Sequence, residues 1–201
     1  MIRARVALVA LVATGAGCPR APLLPSAPAA VAIVEAPAWR TLSAQHRVTV
    51  TVTLDGGKRD VRTLRGVIAV QRPDRFRLRA LGPAGLTLFD LLVRRGEAKV
   101  ISAIRKPGDA GGDALAGVIA SLAADLACAY ALEPRPAART AVLDGDAVLV
   151  TEPGRRVRLS RFAGRPPLWR RAEIAAGNYG VVVEVEDADP DAALDPALFE
   201  D

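Results

Sequence analysis

The clearest pattern along the chain is strict alternation. Val48-Thr-Val-Thr-Val-Thr-Leu54 switches between apolar and polar at every step, which is the period of a strand with one face buried. Asp55-Gly56-Gly57 is turn chemistry, and a second strand is predicted over about Val61–Gln71. After Arg72-Pro73-Asp74, the segment Arg75–Leu81 sets arginines on one face against Phe76, Leu78 and Ala80 on the other. Leu81-Gly-Pro-Ala-Gly85 reads as a tight apolar loop, Leu86–Val93 as a strand apolar on both faces, and a further strand follows Gly96 through Ile104. Beyond a glycine-rich link at Gly108–Asp113, Leu115, Val118, Ile119, Leu122, Leu126 and Ala129 recur at helical spacing. Asp113 is the expected N-cap of that helix. After Pro134, strands are predicted at about Ala147–Thr151, Arg156–Phe162, Leu168–Ala175 and Gly180–Glu186. A short opening helix is expected over Ala36–Gln45, with Trp39 and Leu42 on one side. The predicted fold class is mainly β (α+β), with roughly eight to ten antiparallel strands and one long central helix. Strands with one apolar face each require the sheet to curl around its own core or around a ligand.

Met1–Cys18 differs in kind. Arg3 and Arg5, the apolar run Val6–Val12 and the small residues before Cys18 are the parts of a secretory signal. The run is far short of the ~20 residues a spanning helix needs. Gly15-Ala16-Gly17-Cys18 resembles the bacterial lipoprotein signal, so residues 1–17 are expected to be a lipoprotein signal peptide and Cys18 an acylated N-terminus. The alternative is a plain secretory signal with Cys18 incidental. Several acyl chains on one residue give stable anchoring where one would not. Pro19, Pro22, Pro25 and Pro28 then recur every third residue, the period of polyproline II. Residues 18–35 are therefore expected to be a lipidated proline-rich tether and 36–201 the folded domain. Pro19 stands where an aspartate is associated with retention in the inner membrane, so the expected location is the outer membrane, facing the periplasm.

Composition narrows the chemistry. The 201 residues make one domain with appendages, and 51% hydrophobic with 24% charged residues suffices for a core. Two cysteines exclude a disulfide scaffold, and one histidine leaves little material for a histidine-built zinc site or a Ser-His-Asp triad. Aromatics at 4% are poor material for stacking bases, so no nucleic-acid partner is expected. Removing Arg3 and Arg5 with the signal takes the net charge from +5 to +3. The Gly108–Asp113 link lacks the lysine and the serine or threonine of a phosphate loop. Asp187, Asp189 and Asp191 open like a calcium loop, but Ala192 and Leu198 stand where glycine and glutamate are needed, so a solvated acidic tail is expected. Arg155, Arg156, Arg158, Arg161, Arg165, Arg170 and Arg171 form the densest basic stretch, read as a solvent face with a secondary attraction to anionic lipid or an acidic partner. His46 is read as a surface histidine and Cys128 as a small core residue. Nothing here points to catalysis: no enzyme activity, metal or cofactor is expected.

The stretch Asp74-Arg-Phe-Arg-Leu78, continuing to Gly82-Pro83-Ala84-Gly85-Leu86-Thr-Leu88, resembles the LolA/LolB lipoprotein-localisation family, and its outer-membrane LolB receptors most closely. The likeness extends loosely from Trp39 through Gly66 and resumes from Pro167-Leu168 through Val185. It implies an antiparallel incomplete β-barrel (half-barrel) with a helical lid and an apolar cavity for lipoprotein acyl chains in transit. Cavity residues expected here are Val48, Val50, Val52, Phe76, Leu78, Leu88, Leu122 and Val183. In LolB an exposed leucine in the middle of a Pro-Leu-Gly loop assists insertion of cargo into the membrane. That position is Ala84 in this chain, leaving a membrane-contact loop of Leu81, Pro83, Ala84 and Leu86. The implied partners are lipoprotein acyl chains or another lipid, a periplasmic LolA-like carrier, and the outer membrane. The alternative is an envelope lipoprotein that anchors a structure or carries another lipid, without transfer.

Overall fold

Two five-stranded meanders joined edge to edge make one ten-stranded antiparallel sheet in the computed structural model, which describes residues 27–53, 57–82, 85–103, 112–177 and 179–200. The first meander is β1 (Thr41–Thr53), β2 (Arg59–Gln71), β3 (Arg75–Leu81), β4 (Thr87–Arg94) and β5 (Glu97–Ala103). The second is β6 (Thr140–Asp144), β7 (Ala147–Glu152), β8 (Arg155–Ser160), β9 (Arg171–Ala176) and β10 (Tyr179–Pro190). β1 pairs with β10, giving the order β5-β4-β3-β2-β1-β10-β9-β8-β7-β6. The sheet does not close, so β5 and β6 are its two edges. The chain must travel from one edge to the other, and it does so through α2 (Gly112–Ala129), which packs against β4, β5 and β8. Topology alone thus puts α2 across the mouth of the curled sheet.

The inner face is apolar because burial alternates along β3 and through much of β1, β2 and β10. Leu42, Ala44 and Val48 of β1 join Ile68 and Val70 of β2, Phe76 and Leu78 of β3, and Val181 and Val183 of β10. Leu122, Ala123, Leu126 and Ala129 of α2 complete this core. Alanine favours the helix, and its small side chain lets α2 lie close to the sheet. Leu126 is fully buried, a position where Leu→Ala typically costs ~2–5 kcal/mol. A smaller layer lies on the outer face, where a 3-10 helix at Pro196–Phe199 covers β3 and buries Phe199. Beneath it Arg77 grips Asp90 with two hydrogen bonds of 2.8 Å, Arg79 adds one of 3.1 Å, and Arg77 also donates to the Leu198 carbonyl.

Several expectations are corrected. Ala36–Gln45 is not a helix. Leu42, Ala44 and His46 continue the two-residue period of β1, and that outweighs the three-residue spacing of Trp39 and Leu42. The helix lies earlier, as α1 (Ala27–Glu35), inside the stretch expected to be tether. Pro28 sits in its first turn, where no amide is needed, and Pro37 stops its continuation. Ala30 and Val34 of α1 are buried, and the helix packs on β6 and β7. His46 is not at the surface; it is fully buried. Asp187 and Asp189 are exposed, as expected, but they belong to β10 and not to a tail, lying opposite Gln45 and Ser43. Helix α2 begins at Gly112, so Asp113 falls within its first turn and not before it. β6 and the 3-10 helix were not anticipated, and regular pairing of β9 starts at Arg171, with Leu168 bridging only Ala163. The signal segment, Cys18, the prolines up to Pro25, Pro83, Ala84 and Ile104 lie outside the described residues.

Candidate functional site

The sheet's concavity collects most of the residues that alternation pointed to. Val48, Phe76, Leu78, Leu122 and Val183 meet in one apolar core, with Val50 and Leu88 packed against its margin. Val52 is half-buried farther along β1. Register explains Leu88: Ala80 faces Phe89 but Leu81 faces Thr87, so a bulge leaves Leu88 without an opposite residue. The β4 residues opposite Ala80, Leu78 and Phe76 are Phe89, Leu91 and Val93, which sequence reasoning did not single out. Counting parity across the β3–β4 pairing from Phe76 would have found them.

None of those eight residues lines the cleft beside α2. That cleft, of about 210 Å³, runs between Val93, Gly96 and Ala98 on the β4–β5 side and Glu152 and Arg155 on the other, with Ala120, Ala123, Ala124 and Ala127 as its floor. Its volume falls below the ~300–1,000 Å³ common for small-molecule pockets. Gly96 is required here: its φ is +82°, and an added Cβ would come within 2.8 Å of the Pro134 ring.

Charged groups hold α2 beside this cleft. Asp125, on α2, is fully buried; it accepts a 2.9 Å hydrogen bond from the Tyr179 hydroxyl and lies 3.4 Å from Arg155 Nε. Burial raises the Asp125 carboxyl above its ordinary range, against the opposing pull of Tyr179 and Arg155. Arg155 also donates to the Ala124 carbonyl at 2.7 Å. Arg139 ties three elements together, reaching Glu152 of β7, Glu35 of α1 and the Cys128 carbonyl at the end of α2. Cations suit the carbonyl end of a helix. Burial pushes the Cys128 thiol up to about 12, so it stays protonated and inert.

Beyond the end of α2, His46, Tyr130, Trp169 and Trp39 form a buried ring cluster. His46 Nε2 and the Tyr130 hydroxyl share a 2.5 Å hydrogen bond, and the His46 and Trp169 rings stack with centroids 6.4 Å apart. The Trp169 indole donates to the Ala129 carbonyl, and Arg72 lies over Trp39. Burial drives the His46 imidazole down to about 3, so it is neutral. This cluster clamps α2 at its C-terminal end and contains no carboxylate to activate the imidazole.

The β3–β4 turn is tight: Gly82 N–H donates to the Leu86 carbonyl and Gly85 N–H to the Gly82 carbonyl, with Gly85 at φ +76°. Leu81 is half-buried at the end of β3, whereas Leu86 is 63% exposed. Three of the seven arginines in the arginine-rich stretch pair with acids. Arg158 pairs with Asp144 and Asp146, Arg171 with Glu173 and Glu184, and Arg155 with Asp125 and Glu152.

No protein-family profile and no curated protein matches the chain. Solved structures do. A LolA superfamily protein from Nitrosomonas europaea aligns at 9% identity over 85% of this chain and 94% of its own, with a TM-score of 0.47. A DUF1329 family protein from Desulfovibrio piger aligns at 11% identity over 81% and 90%, with a TM-score of 0.48. A candidate outer membrane lipoprotein-sorting protein domain from Vibrio parahaemolyticus aligns at 8% identity over 81% and 90%, with a TM-score of 0.50. At such identities the likeness is one of fold, and the Vibrio domain carries it: this chain shares with that domain a mostly β architecture, an open antiparallel sheet curled around a helix.

Proposed function

We propose that the protein is a lipid-anchored envelope protein of LolB type, which takes acyl chains of lipoproteins into the sheet's concavity and passes them to the outer membrane. The observation that carries this reading is the covering of the inner face. An open sheet with an apolar concave surface is closed over by helices, the alanine-rich α2 and the short α1, and not by a second sheet. When α2 leaves its seat, the wall formed by Val48, Phe76, Leu78 and Val183 becomes available to an acyl chain. Binding involves no covalent chemistry and no cofactor. Each methylene taken up contributes ~0.8 kcal/mol, so selection among long chains is weak. The sorting role named for the Vibrio domain of the same fold supports the choice of cargo, and the lipoprotein-like signal ending at Cys18 supports the anchor. In this reading the turn carrying Leu81, Pro83, Ala84 and Leu86 touches the bilayer, and a periplasmic LolA-like carrier delivers the cargo.

Titration with a fluorescent fatty acid tests the reading: saturable binding, displaced by a palmitoylated peptide, is expected, and its absence refutes it. A second reading has its own support. Val48, Phe76, Leu78 and Val183 are packed almost without exposure, which suits an anchored structural protein whose barrel stays filled by α2. Depletion in cells separates transfer from carriage of another lipid, since only loss of a sorting factor makes other lipoproteins accumulate in the inner membrane.

A further inference from the structure

Register leaves part of β2 without a partner on its β3 side among the described residues. β3 pairs with β2 only as far as Arg65, opposite Leu81, while β1 continues along β2 to Arg59. Arg59–Leu64 therefore form an edge, unpaired among the described residues, about 20 Å long at ~3.4 Å per residue. Along the outer face of this strand Arg59, Val61, Thr63, Arg65 and Val67 follow at alternate positions. Val61 is 56% and Val67 39% exposed. The β3–β4 turn begins beside Arg65, which brings exposed Leu86 to the same end of the sheet.

The charge here is one-sided. Lys58, Arg59, Arg62 and Arg65 face a single acid, Asp60, within residues 58–65. Asp60 is taken by Arg62 at 3.2 Å, and Arg65 reaches only a loose 3.7 Å contact with Glu186, which Arg47 also binds. Arg59 has no ion-pair partner among the described residues. Charges on a free edge serve to discourage strand pairing, but that purpose leaves Val61 and Val67 unexplained between them. Exposed apolar side chains set beside Arg59 and the loosely held Arg65 match a surface that is anionic outside and apolar beneath.

We propose that the outer face of β2 from Arg59 to Val67, with Leu86 beside it, docks the protein on an anionic phospholipid surface. The arginines meet the phosphates, and Val61 and Leu86 enter the headgroup boundary. This contact is separate from both the lipid on Cys18 and the acyl-binding concavity. Each cation near an anionic leaflet strengthens partition about fivefold, so removing two lowers it roughly 25-fold.

The test uses the full chain carrying Cys18→Ala, so that no acyl anchor contributes, sedimented with vesicles of phosphatidylcholine alone or mixed with phosphatidylglycerol. Preference for the anionic vesicles is expected, weakened by salt and cut roughly 25-fold by Arg59→Ser with Arg65→Ser. Val61→Ser should also weaken it, and none of these changes should move the thermal midpoint or the fatty-acid titration. Equal partition onto both vesicle types overturns the proposal, as does a double variant that binds like the parent. Because fatty-acid uptake is read on the same samples, failure of the docking surface is distinguishable from failure of acyl binding.

Discussion

Replacing Leu86 by glutamate separates a membrane-contact turn from an ordinary core position. Leu86 is 63% exposed, so only about a third of its surface leaves water on folding. Full burial of a leucine contributes ~1.5–3 kcal/mol, which sets the loss at Leu86 near ~1 kcal/mol or below. The new carboxylate stays hydrated and adds no burial penalty. For a domain of this size the thermal midpoint should fall by about 2–4 °C. The same change at Leu91, which is fully buried two strand positions beyond Phe89, places an unpaired carboxylate in the core and should cost several kcal/mol. Melts followed by circular dichroism compare the two variants directly. Transfer of an acylated peptide between vesicles then tests the role: Leu86→Glu should slow it roughly fivefold, the equivalent of ~1 kcal/mol of lost contact, with fatty-acid affinity kept. A midpoint drop beyond ~10 °C for Leu86→Glu would put the side chain in the core, and unchanged transfer would remove the turn from the membrane.

Two further perturbations probe what holds the domain together. His46 is buried and neutral with its pKa driven down to about 3, so between its unfolded value near 6.5 and that limit the unfolded chain binds the extra proton. Its contribution is therefore present above pH ~6.5 and lost as pH falls, by about 3 kcal/mol at pH 4; His46→Gln should flatten that acid limb in denaturant titrations, and an unchanged limb would refute the assignment. Burial by itself raises the Asp90 carboxyl, but the hydrogen bonds from Arg77 and Arg79 more than offset it and hold it below the usual range. Its stabilisation is thus present above about pH 4 and lost as pH falls through the folded value. Asp90→Ala strands Arg77, whose side chain is 14% exposed, at a cost of about 3 kcal/mol. Arg77→Met with Asp90→Leu should recover most of that loss, and a pair of changes whose costs simply add would show that the two residues do not act together.

Local pattern carried much of this architecture. Alternation in Val48–Thr53 and Arg75–Leu81 predicted strands that exist, because a strand exposes its two faces at a period the sequence must obey if one face is to stay dry. The stripe Leu115–Ala129 predicted α2 for the same reason at a different period, and with these came the mainly β class and the inward side of Val48, Phe76, Leu78 and Val183. Other features depended on what lies across space. His46 shares the parity of Leu42 and Val48, but only the rings of Tyr130 and Trp169 make a dry site tolerable for an imidazole, and those residues are far away in the chain. Trp39 and Leu42 fit a helix or the approach to a strand equally well; pairing of β1 with both β2 and β10 decided for the strand. Asp90 reads as a polar interruption in an apolar strand until Arg77 and Arg79 are seen opposite it, under a cover formed by Phe199. The bulge at Leu88, the exposure of Leu86 and the free edge of β2 follow from where β3 stops pairing. Periodicity records which side of an element is dry, whereas register, edges and charge pairing are properties of two or more elements at once, and only the folded sheet determines them.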